Sequence, residues 1–333
     1  MNPRIDNLPA RIEDLTRREL ISSAFAAALL IACGDDAEEQ GPAGAGFPRT
    51  VRHAAGETTI PTRPERVVAL WDGDALDAVL ALSITPSLVG ISKVYGIETP
   101  PWIGDSLQGV ETFGSPTQET DLERVVANRP DLIVTSWDRN DLYGRLSTIA
   151  PTVMIRKDDS DDWRTMQRIA GEATGREAEA EAAIKATDAA IEAQAERVKP
   201  YAGMRVAVAY EYSGVFNIHG DGVSFGRLLK ALGLTVEAPG PELTGGLSFE
   251  QIRLANDADI ILSPDFGDGS IENQEKQQLF RGLPAVQNRR YLPLSVEMAR
   301  ACFFESALSV RWAVEQLADA VIAAAEGRGR RLD

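Results

Sequence analysis

The segment Gly222-Val223-Ser224-Phe225-Gly226 has the G-x-S-x-G spacing of a nucleophile elbow, in which an exposed serine hydroxyl attacks an acyl carbon. Hydrolases with this elbow take their general base from a histidine that follows the serine in the chain. The chain has two histidines, His53 and His219, and both precede Ser224. Residues 227–233 are typical of a helix, and a serine that caps this helix is the better interpretation of the motif. We therefore predict no catalytic residue here and no enzyme.

The same two histidines are the candidates for a metal site. His53 and His219 are far apart in the sequence, whereas a zinc or manganese ion normally needs several histidines together with carboxylates. We therefore predict no metal site for a free ion and no resident cofactor. His219 remains a possible ligand for a haem iron.

Aromatic and charged side chains follow several predicted strands, where they could bind a large, flat or amphipathic ligand. In open α/β sheets, ligands bind beyond the carboxyl ends of the strands, and aromatic side chains commonly line such pockets. Arg139 and Arg300 would suit an anionic chelate, although salt bridges to neighbouring acids explain them equally well. The candidate binding residues are Trp71, Asp72, Tyr95, Trp102, Trp137, Arg139, Tyr212, Phe216, Arg300, Phe303 and Phe304.

Short β-rich runs alternate with helical stretches along the chain, and this alternation predicts parallel α/β sheets. An interruption between residues 177 and 199 is rich in Ala and Glu and contains no glycine or proline, which predicts one helix of about 33 Å. The predicted strands are 67–70, 88–91, 132–134, 152–155, 205–210, 260–262 and 291–294.

A single stiff helix between two sets of strands indicates two lobes in a nearly fixed relation, with a groove between them. We predict an α/β fold in which two lobes with central, mostly parallel sheets are joined by one long rigid helix. The predicted divisions are an N-terminal lobe at 48–160, a connecting helical segment at 161–200, a C-terminal lobe at 201–325 and a tail at 326–333.

The first 33 residues have the pattern of a secretion signal that ends at a cysteine. Arg17-Arg18 resembles the arginine pair of a twin-arginine signal, and the apolar run at 21–32 is too short to span a bilayer. Leu30-Ile31-Ala32-Cys33 resembles a lipobox, in which the cysteine receives lipid. We predict a twin-arginine-exported lipoprotein, and the alternative for the first 33 residues is a buried N-terminal helix. Residues 34–47 are predicted to form a flexible tether.

The net charge of −16 argues against nucleic acid as a partner and against electrostatic adhesion to anionic lipid. Lipid on Cys33 would then hold the protein at the membrane. Cys302 is the second of two cysteines, so a lipidated Cys33 leaves no internal disulfide. The apolar neighbours of Cys302 predict a buried thiol.

Six stretches of the chain are specific when their order and spacing are taken together. The stretches are Pro64-Glu65-Arg66-Val67-Val68-Ala69-Leu70, Asp121-Leu122-Glu123-Arg124-Val125-Val126, Pro130-Asp131-Leu132-Ile133, Ile149-Ala150-Pro151-Thr152-Val153, Ser224-Phe225-Gly226-Arg227-Leu228-Leu229 and Leu247-Ser248-Phe249-Glu250. As a set they resemble the solute-binding component of ABC importers with a rigid helical backbone, and the resemblance extends over residues 47–321.

This resemblance implies an extracytoplasmic, lipid-anchored, monomeric receptor that captures a ferric siderophore and delivers it to the transmembrane subunits of a permease. A haem or cobalamin receptor of the same fold, or a siderophore-processing hydrolase, is the alternative. In this class one surface glutamate on each lobe pairs with permease arginines, and Glu123 and Glu250 stand at the matching positions. Each could instead be a helix N-terminal acid favoured by the helix dipole. Phe303 and Phe304 stand where the class often has Trp and Tyr.

Overall fold

The computed structural model describes residues 46–70, 73–92, 99–115, 120–138, 141–158, 161–237 and 246–332. The predicted signal with Cys33, and most of the predicted tether, lie outside the described residues. So do four candidate binding residues: Trp71, Asp72, Tyr95 and Arg139. Among the described residues, no helix combines the length and the apolar character needed to cross a bilayer.

The first sheet consists of five parallel strands in the order β5-β4-β3-β6-β7, and a small antiparallel hairpin, β1-β2, precedes it. Strands β3 and β6 are buried along their whole length, as expected for a parallel sheet covered on both faces. The chain reverses its direction of winding at β3, and this is where open α/β sheets bind ligands. The elements are β1 (Arg49–His53), β2 (Gly56–Ile60), β3 (Val67–Leu70), α1 (Asp74–Leu80), β4 (Leu88–Ser92), η1 (Pro101–Ile103), β5 (Thr112–Ser115), α2 (Leu122–Asn128), β6 (Leu132–Thr135), α3 (Leu142–Ser147) and β7 (Thr152–Met154).

Helices connect the two sheets. The longest, α5, has 22 residues and confirms the helix predicted from the Ala- and Glu-rich stretch. Ile184, Ile191 and Val198 of α5 are buried, and the hydroxyl of Thr187 donates a 2.8 Å hydrogen bond to the carbonyl oxygen of Ala307. The connecting elements are α4 (Trp163–Thr174), α5 (Glu177–Val198) and η2 (Lys199–Tyr201).

The second sheet has four parallel strands in the order β10-β8-β11-β12, and a fifth strand, β9, is antiparallel to β8. The β8-β9 hairpin turns through Ser213 and Gly214, which both have positive φ (53° and 81°), as a tight two-residue hairpin turn requires. The elements are β8 (Arg205–Tyr212), β9 (Val215–His219), α6 (Ser224–Ala231), β10 (Thr235–Val236), η3 (Phe249–Ala255), β11 (Ile260–Pro264), α7 (Ser270–Lys276), α8 (Gln278–Arg281), α9 (Pro284–Gln287), β12 (Tyr291–Leu294), α10 (Val296–Phe303) and α11 (Ala307–Ala325).

One hydrophobic core runs through both lobes. It contains Val134 of the first sheet, Val208 of the second, Ile191 of α5 and Leu317 of α11. Each sheet packs its other face against a smaller core of its own. Because α5 and α11 contribute to the shared core, the two sheets are joined by buried apolar contacts as well as by the chain.

The G-x-S-x-G segment starts helix α6, but Ser224 is not its cap. Val223 occupies the N-cap position, and the buried Ser224 hydroxyl donates a 3.0 Å hydrogen bond to the carbonyl oxygen of Phe303. A Cβ atom at Gly226 would lie 2.1 Å from the carbonyl oxygen of Gly220, so glycine allows the helix to pack against the preceding loop. The motif therefore positions Phe303, and the expectation of a capping serine was wrong.

Candidate functional site

Phe303 and Phe304, at the end of α10, lie where the carboxyl ends of the two sheets meet. The Phe303 ring faces the second sheet, with its centroid 5.6 Å from the ring of Phe266. Phe304 faces the first sheet, because a Cβ atom on Gly73, which follows β3, would lie 3.3 Å from the Phe304 Cβ. Two adjacent residues thus border both lobes, and we call this region the interlobe site.

On the second lobe, five rings form what we call the aromatic cluster. It consists of Tyr210, Tyr212, His219, Phe266 and Phe303, with adjacent ring centroids 4.8–5.8 Å apart. The Tyr210 hydroxyl and His219 Nε2 are 2.8 Å apart and share a hydrogen bond. Tyr212 is 40% exposed, and Phe266 and Phe303 are partly exposed. The cluster therefore offers ring surface to a ligand beside a hydrogen-bonded pair formed by the buried Tyr210 and the partly buried His219.

Of these rings, Phe266 was not among the sequence candidates. It follows β11 by two residues, so the strand-end rule that selected the other aromatic residues would also have selected it.

On the first lobe, Arg156 follows β7 and lies beneath Trp137 and Phe304. The centre of its guanidinium group is 4.7 Å from the Trp137 ring and 5.9 Å from the Phe304 ring. Arg156 Nη1 donates a 2.8 Å hydrogen bond to Asp74 Oδ2, and both side chains are only 2% exposed. A buried cation between two aromatic faces fixes the position of both rings.

Arg156 also follows a predicted strand, yet sequence reasoning missed it. Nothing in the sequence distinguishes it from the neighbouring Lys157, because the burial of its charge depends on Asp74, 82 residues earlier.

Trp102 lies on η1, and its indole Nε1 donates a 2.7 Å hydrogen bond to Asp77 Oδ2. The same oxygen accepts a 2.7 Å hydrogen bond from the Ser306 hydroxyl, which joins α1 to the start of α11. The Trp102 ring is 5.4 Å from that of Trp312 on α11. Trp102 thus packs between elements at the junction of the lobes.

Asp77 is completely buried. Burial raises the pKa of its carboxyl group to about 7. The hydrogen bonds from Ser306 and Trp102 and the positive charge of Arg300 act in the opposite direction and only partly offset this increase. Arg300 itself is 4% exposed, so this candidate binding residue lies within the protein and interacts electrostatically with Asp77.

Phe216 was predicted to line the ligand site, and this prediction was wrong. The ring is fully buried in the core on the outer side of the second sheet, 6.2 Å from the Phe249 ring. The hairpin turn at Ser213–Gly214 explains the error, because it sends Phe216 back along β8 opposite Glu211.

A further buried carboxylate, Glu305, follows Phe304. Burial raises the pKa of Glu305 to about 8, and its Oε2 lies 3.3 Å from Arg227 Nη2. The same Arg227 nitrogen donates a 2.9 Å hydrogen bond to the carbonyl oxygen of Asp161, which precedes α4. Arg227 thus ties α6 of the second lobe to the segment that leaves the first. Cys302, also on α10, is buried as predicted, and burial raises the pKa of its thiol.

Glu123 and Glu250 occupy equivalent places on the two lobes. Each lies in the first turn of a short helix, α2 or η3, and each is exposed. Neither forms an ion pair within the part of the chain that the structure describes. The pKa of Glu250 is lowered, mainly by a hydrogen bond from the backbone N–H of Glu250 and to a smaller extent by one from the side chain of Ser248. Both carboxylates are therefore available to a partner.

A family model described as "Periplasmic binding protein" matches residues 68–293, from β3 to β12. The ferric enterobactin-binding periplasmic protein FepB of Escherichia coli O6:H1 is 26% identical over 305 residues, covering 79% of this chain and 88% of FepB. A periplasmic solute binding protein from Mycobacterium smegmatis superposes with a TM-score of 0.71 at 26% identity, covering 83% of this chain and 98% of that one.

Streptococcus pneumoniae PiaA in complex with ferrichrome superposes with a TM-score of 0.69 at 25% identity, covering 84% of this chain and 99% of PiaA. The family match includes both sheets, the connecting helices and the strands that border the interlobe site. The chain belongs to the periplasmic binding protein family.

Proposed function

We propose that this protein is the extracytoplasmic binding component of an ABC importer and that it captures a ferric siderophore at the interlobe site. The observation that carries the proposal is the placement of Phe303 and Phe304, which bring the aromatic cluster and the buried Arg156 to one place between two lobes. Aromatic faces suit a large ligand, and the buried Arg156, which is paired with Asp74, holds Trp137 and Phe304 in position rather than contacting the ligand itself.

The relatives support a ferric chelate as the class of ligand. FepB binds ferric enterobactin, the FecB protein of Escherichia coli K12 binds ferric dicitrate, and PiaA was crystallised with ferrichrome. These three ligands bind iron through different chelating groups. They therefore support a ferric chelate as the class of ligand but do not indicate which chelate this protein binds. Tests with haem and cobalamin distinguish the alternatives.

We expect the Tyr212→Ala, Phe266→Ala double variant to bind the preferred ferric chelate at least tenfold more weakly, a loss of about 1.4 kcal/mol. Both rings are partly exposed on the aromatic cluster, so their removal takes contact area from the ligand and little from the core. The measurement is quenching of the fluorescence of the five tryptophans during titration with ferric enterobactin, ferric dicitrate, ferrichrome, haem and cobalamin.

Tyr201→Ala is the matched control, because Tyr201 precedes the amino end of β8 whereas Tyr212 ends that strand. Its affinity should stay within about twofold of the wild type. Equal losses in both variants would place the ligand elsewhere. If only haem or cobalamin gave saturable binding, that compound and not a ferric siderophore would be the substrate. No response to any of the five compounds would argue against the proposal.

We propose further that lipid on Cys33 anchors the protein after twin-arginine export. The sequence pattern of residues 1–33 supports this proposal. We expect Cys33→Ala to move the protein from the membrane fraction to the soluble fraction, as measured by quantitative immunoblotting after fractionation. Cys302→Ala, which changes a buried thiol, should stay with the membrane. Membrane retention of Cys33→Ala would contradict the anchor.

For delivery, we propose that Glu123 and Glu250 dock the two lobes on the permease. Their exposure, their lack of ion pairs within the described residues and their placement on opposite lobes support this role. Two separated carboxylates fix an orientation that one cannot, and interface charges act mainly on orientation and on the association rate.

A further inference from the structure

Exposed apolar side chains accompany both proposed docking acids. Among the described residues, the large apolar side chains with the greatest exposure are Val126, Tyr212, Val215, Leu254 and Leu279. Tyr212 and Val215 form the last pair of the β8-β9 hairpin. The other three lie on α2 and η3, which carry the two acids, and on α8, which packs against η3.

On the first lobe, Val126 follows Glu123 by three residues in α2, so the two side chains lie on the same face of the helix. Val126 is 55% exposed, whereas the adjacent Val125 is completely buried. Val125 therefore packs in the core of the first lobe, whereas the side chain of Val126 is exposed to solvent.

On the second lobe, Ile252 and Ala255 turn towards the core at the three-residue spacing of a 3₁₀ helix. Glu250 and Leu254 lie on the remaining, solvent-facing sides, about 8 Å apart along the helix axis. Leu254 is 38% exposed, and Leu279 is exposed on α8, which packs against η3. On the first lobe the acid and the exposed apolar side chain thus share one helix face, whereas on the second lobe they lie on two adjacent solvent-facing sides of η3.

We propose that Val126 on one lobe, and Leu254 with Leu279 on the other, form the apolar part of the permease-docking surface. The occupant is the extracytoplasmic face of the permease, with a cationic side chain opposite each glutamate and an apolar side chain beside it. The inference rests on the proposed function. Charge complementarity supports this occupant, because the chain has a net charge of −16 and exposes both acids outside any ion pair of the described residues, with Arg253 the one cation that acts on Glu250, so a basic surface is attracted.

The two kinds of residue have different physical roles. Exposed ion pairs contribute little net affinity and are screened by salt, so Glu123 and Glu250 govern orientation and association rate. Burial of an apolar side chain does not depend on charge and slows dissociation. The residence time of the protein on the permease is therefore assigned to Val126, Leu254 and Leu279, of which Val126 and Leu254 are the more exposed.

The test compares full-length variants, each with a fluorescent label, on membranes from source cells that lack their own copy of the chain. Val126→Ser with Leu254→Ser should raise the dissociation rate at least tenfold at both low and high salt. Glu123→Arg with Glu250→Arg should abolish association and uptake of radioiron-labelled ferrichrome, ferric enterobactin or ferric dicitrate, whichever of these binds the purified chain. Val126→Leu with Leu254→Met should behave like the wild type.

Val215→Ser is the matched control, because Val215 is as exposed as Leu254 but lies on a hairpin without a docking acid. Its dissociation rate should not change, and an equal increase there would overturn the assignment to Val126 and Leu254. The assignment would also be overturned if the double serine variant dissociated at the wild-type rate while the charge-reversal variant lost uptake. Normal uptake after charge reversal would instead contradict the proposed function. Unchanged melting temperatures of the serine variants establish that the fold is intact.

Discussion

Replacement of Arg156 with methionine should lower the free energy of unfolding by about 3–5 kcal/mol. Arg156 and Asp74 are each 2% exposed and joined at 2.8 Å, so the methionine variant leaves a buried carboxylate without the guanidinium that now balances it. The variant also loses the contact of the cation with Trp137. Urea unfolding followed by circular dichroism measures the change.

Arg164→Met is a closely matched control. Arg164 also lies over a tryptophan, Trp163, with its guanidinium centre 4.4 Å from the ring, and it is paired with Asp188. Its side chain is 29% exposed, and solvent-exposed ion pairs typically contribute about 0–1 kcal/mol. We therefore expect a loss several times smaller than that of Arg156→Met.

A second substitution separates charge burial from lost packing. In the Arg156→Met background, Asp74→Asn removes the buried charge and should recover part of the lost stability. A coupling energy above about 1 kcal/mol between the two sites would establish the pair. Additive losses, or equal losses at Arg156 and Arg164, would contradict the assigned role of the buried pair.

The architecture could be predicted because its signals are local. The predicted β-rich runs of three to six residues and the stretch without glycine or proline that forms α5 are visible in neighbouring residues alone. A two-residue hairpin leaves a weaker trace. Ser213–Gly214 is a two-residue turn within one β-rich stretch, and missing it reversed the predicted placement of Phe216.

The charged part of the interlobe site could not be predicted, because its residues meet only in the folded chain. Asp74 and Asp77 appear in the sequence as ordinary acids near a helix start. Their burial depends on Arg156, 82 residues later, and on Ser306, 229 residues later. Local patterns locate strand ends and the aromatic residues beside them, but they do not reveal which charges become buried there.

Asp77 should make the protein less stable as the pH rises from about 4 to about 8. Its pKa is raised from an ordinary 3.8 to about 7 in the folded state, mainly by burial. Between these values the unfolded chain has released the proton that the folded chain retains, so a rising pH favours unfolding. A difference of about 3 pH units corresponds to roughly 4 kcal/mol, and the loss levels off above the folded-state pKa.

The Asp77→Asn variant isolates this effect. An asparagine side-chain oxygen still accepts hydrogen bonds from Trp102 and Ser306, but the group no longer titrates. We expect the variant to match the wild type within about 1 kcal/mol near pH 5 and to exceed it by roughly 2–4 kcal/mol near pH 8.5. Urea unfolding at several pH values measures the difference, and Asp319→Asn, at an exposed ion pair on α11, is the control.

Other groups that titrate in the same range do not obscure the comparison. Burial also raises the pKa of Glu305, to about 8, but Glu305 is present in both proteins and cancels in their difference. The charged groups that act on Asp77 are Arg300, which favours its ionised form, and Asp74, which opposes it. Parallel pH profiles for wild type and Asp77→Asn would mean that Arg300 keeps Asp77 ionised throughout. Divergent profiles would place a titrating acid at the contact between α1 and α11, where the two lobes meet.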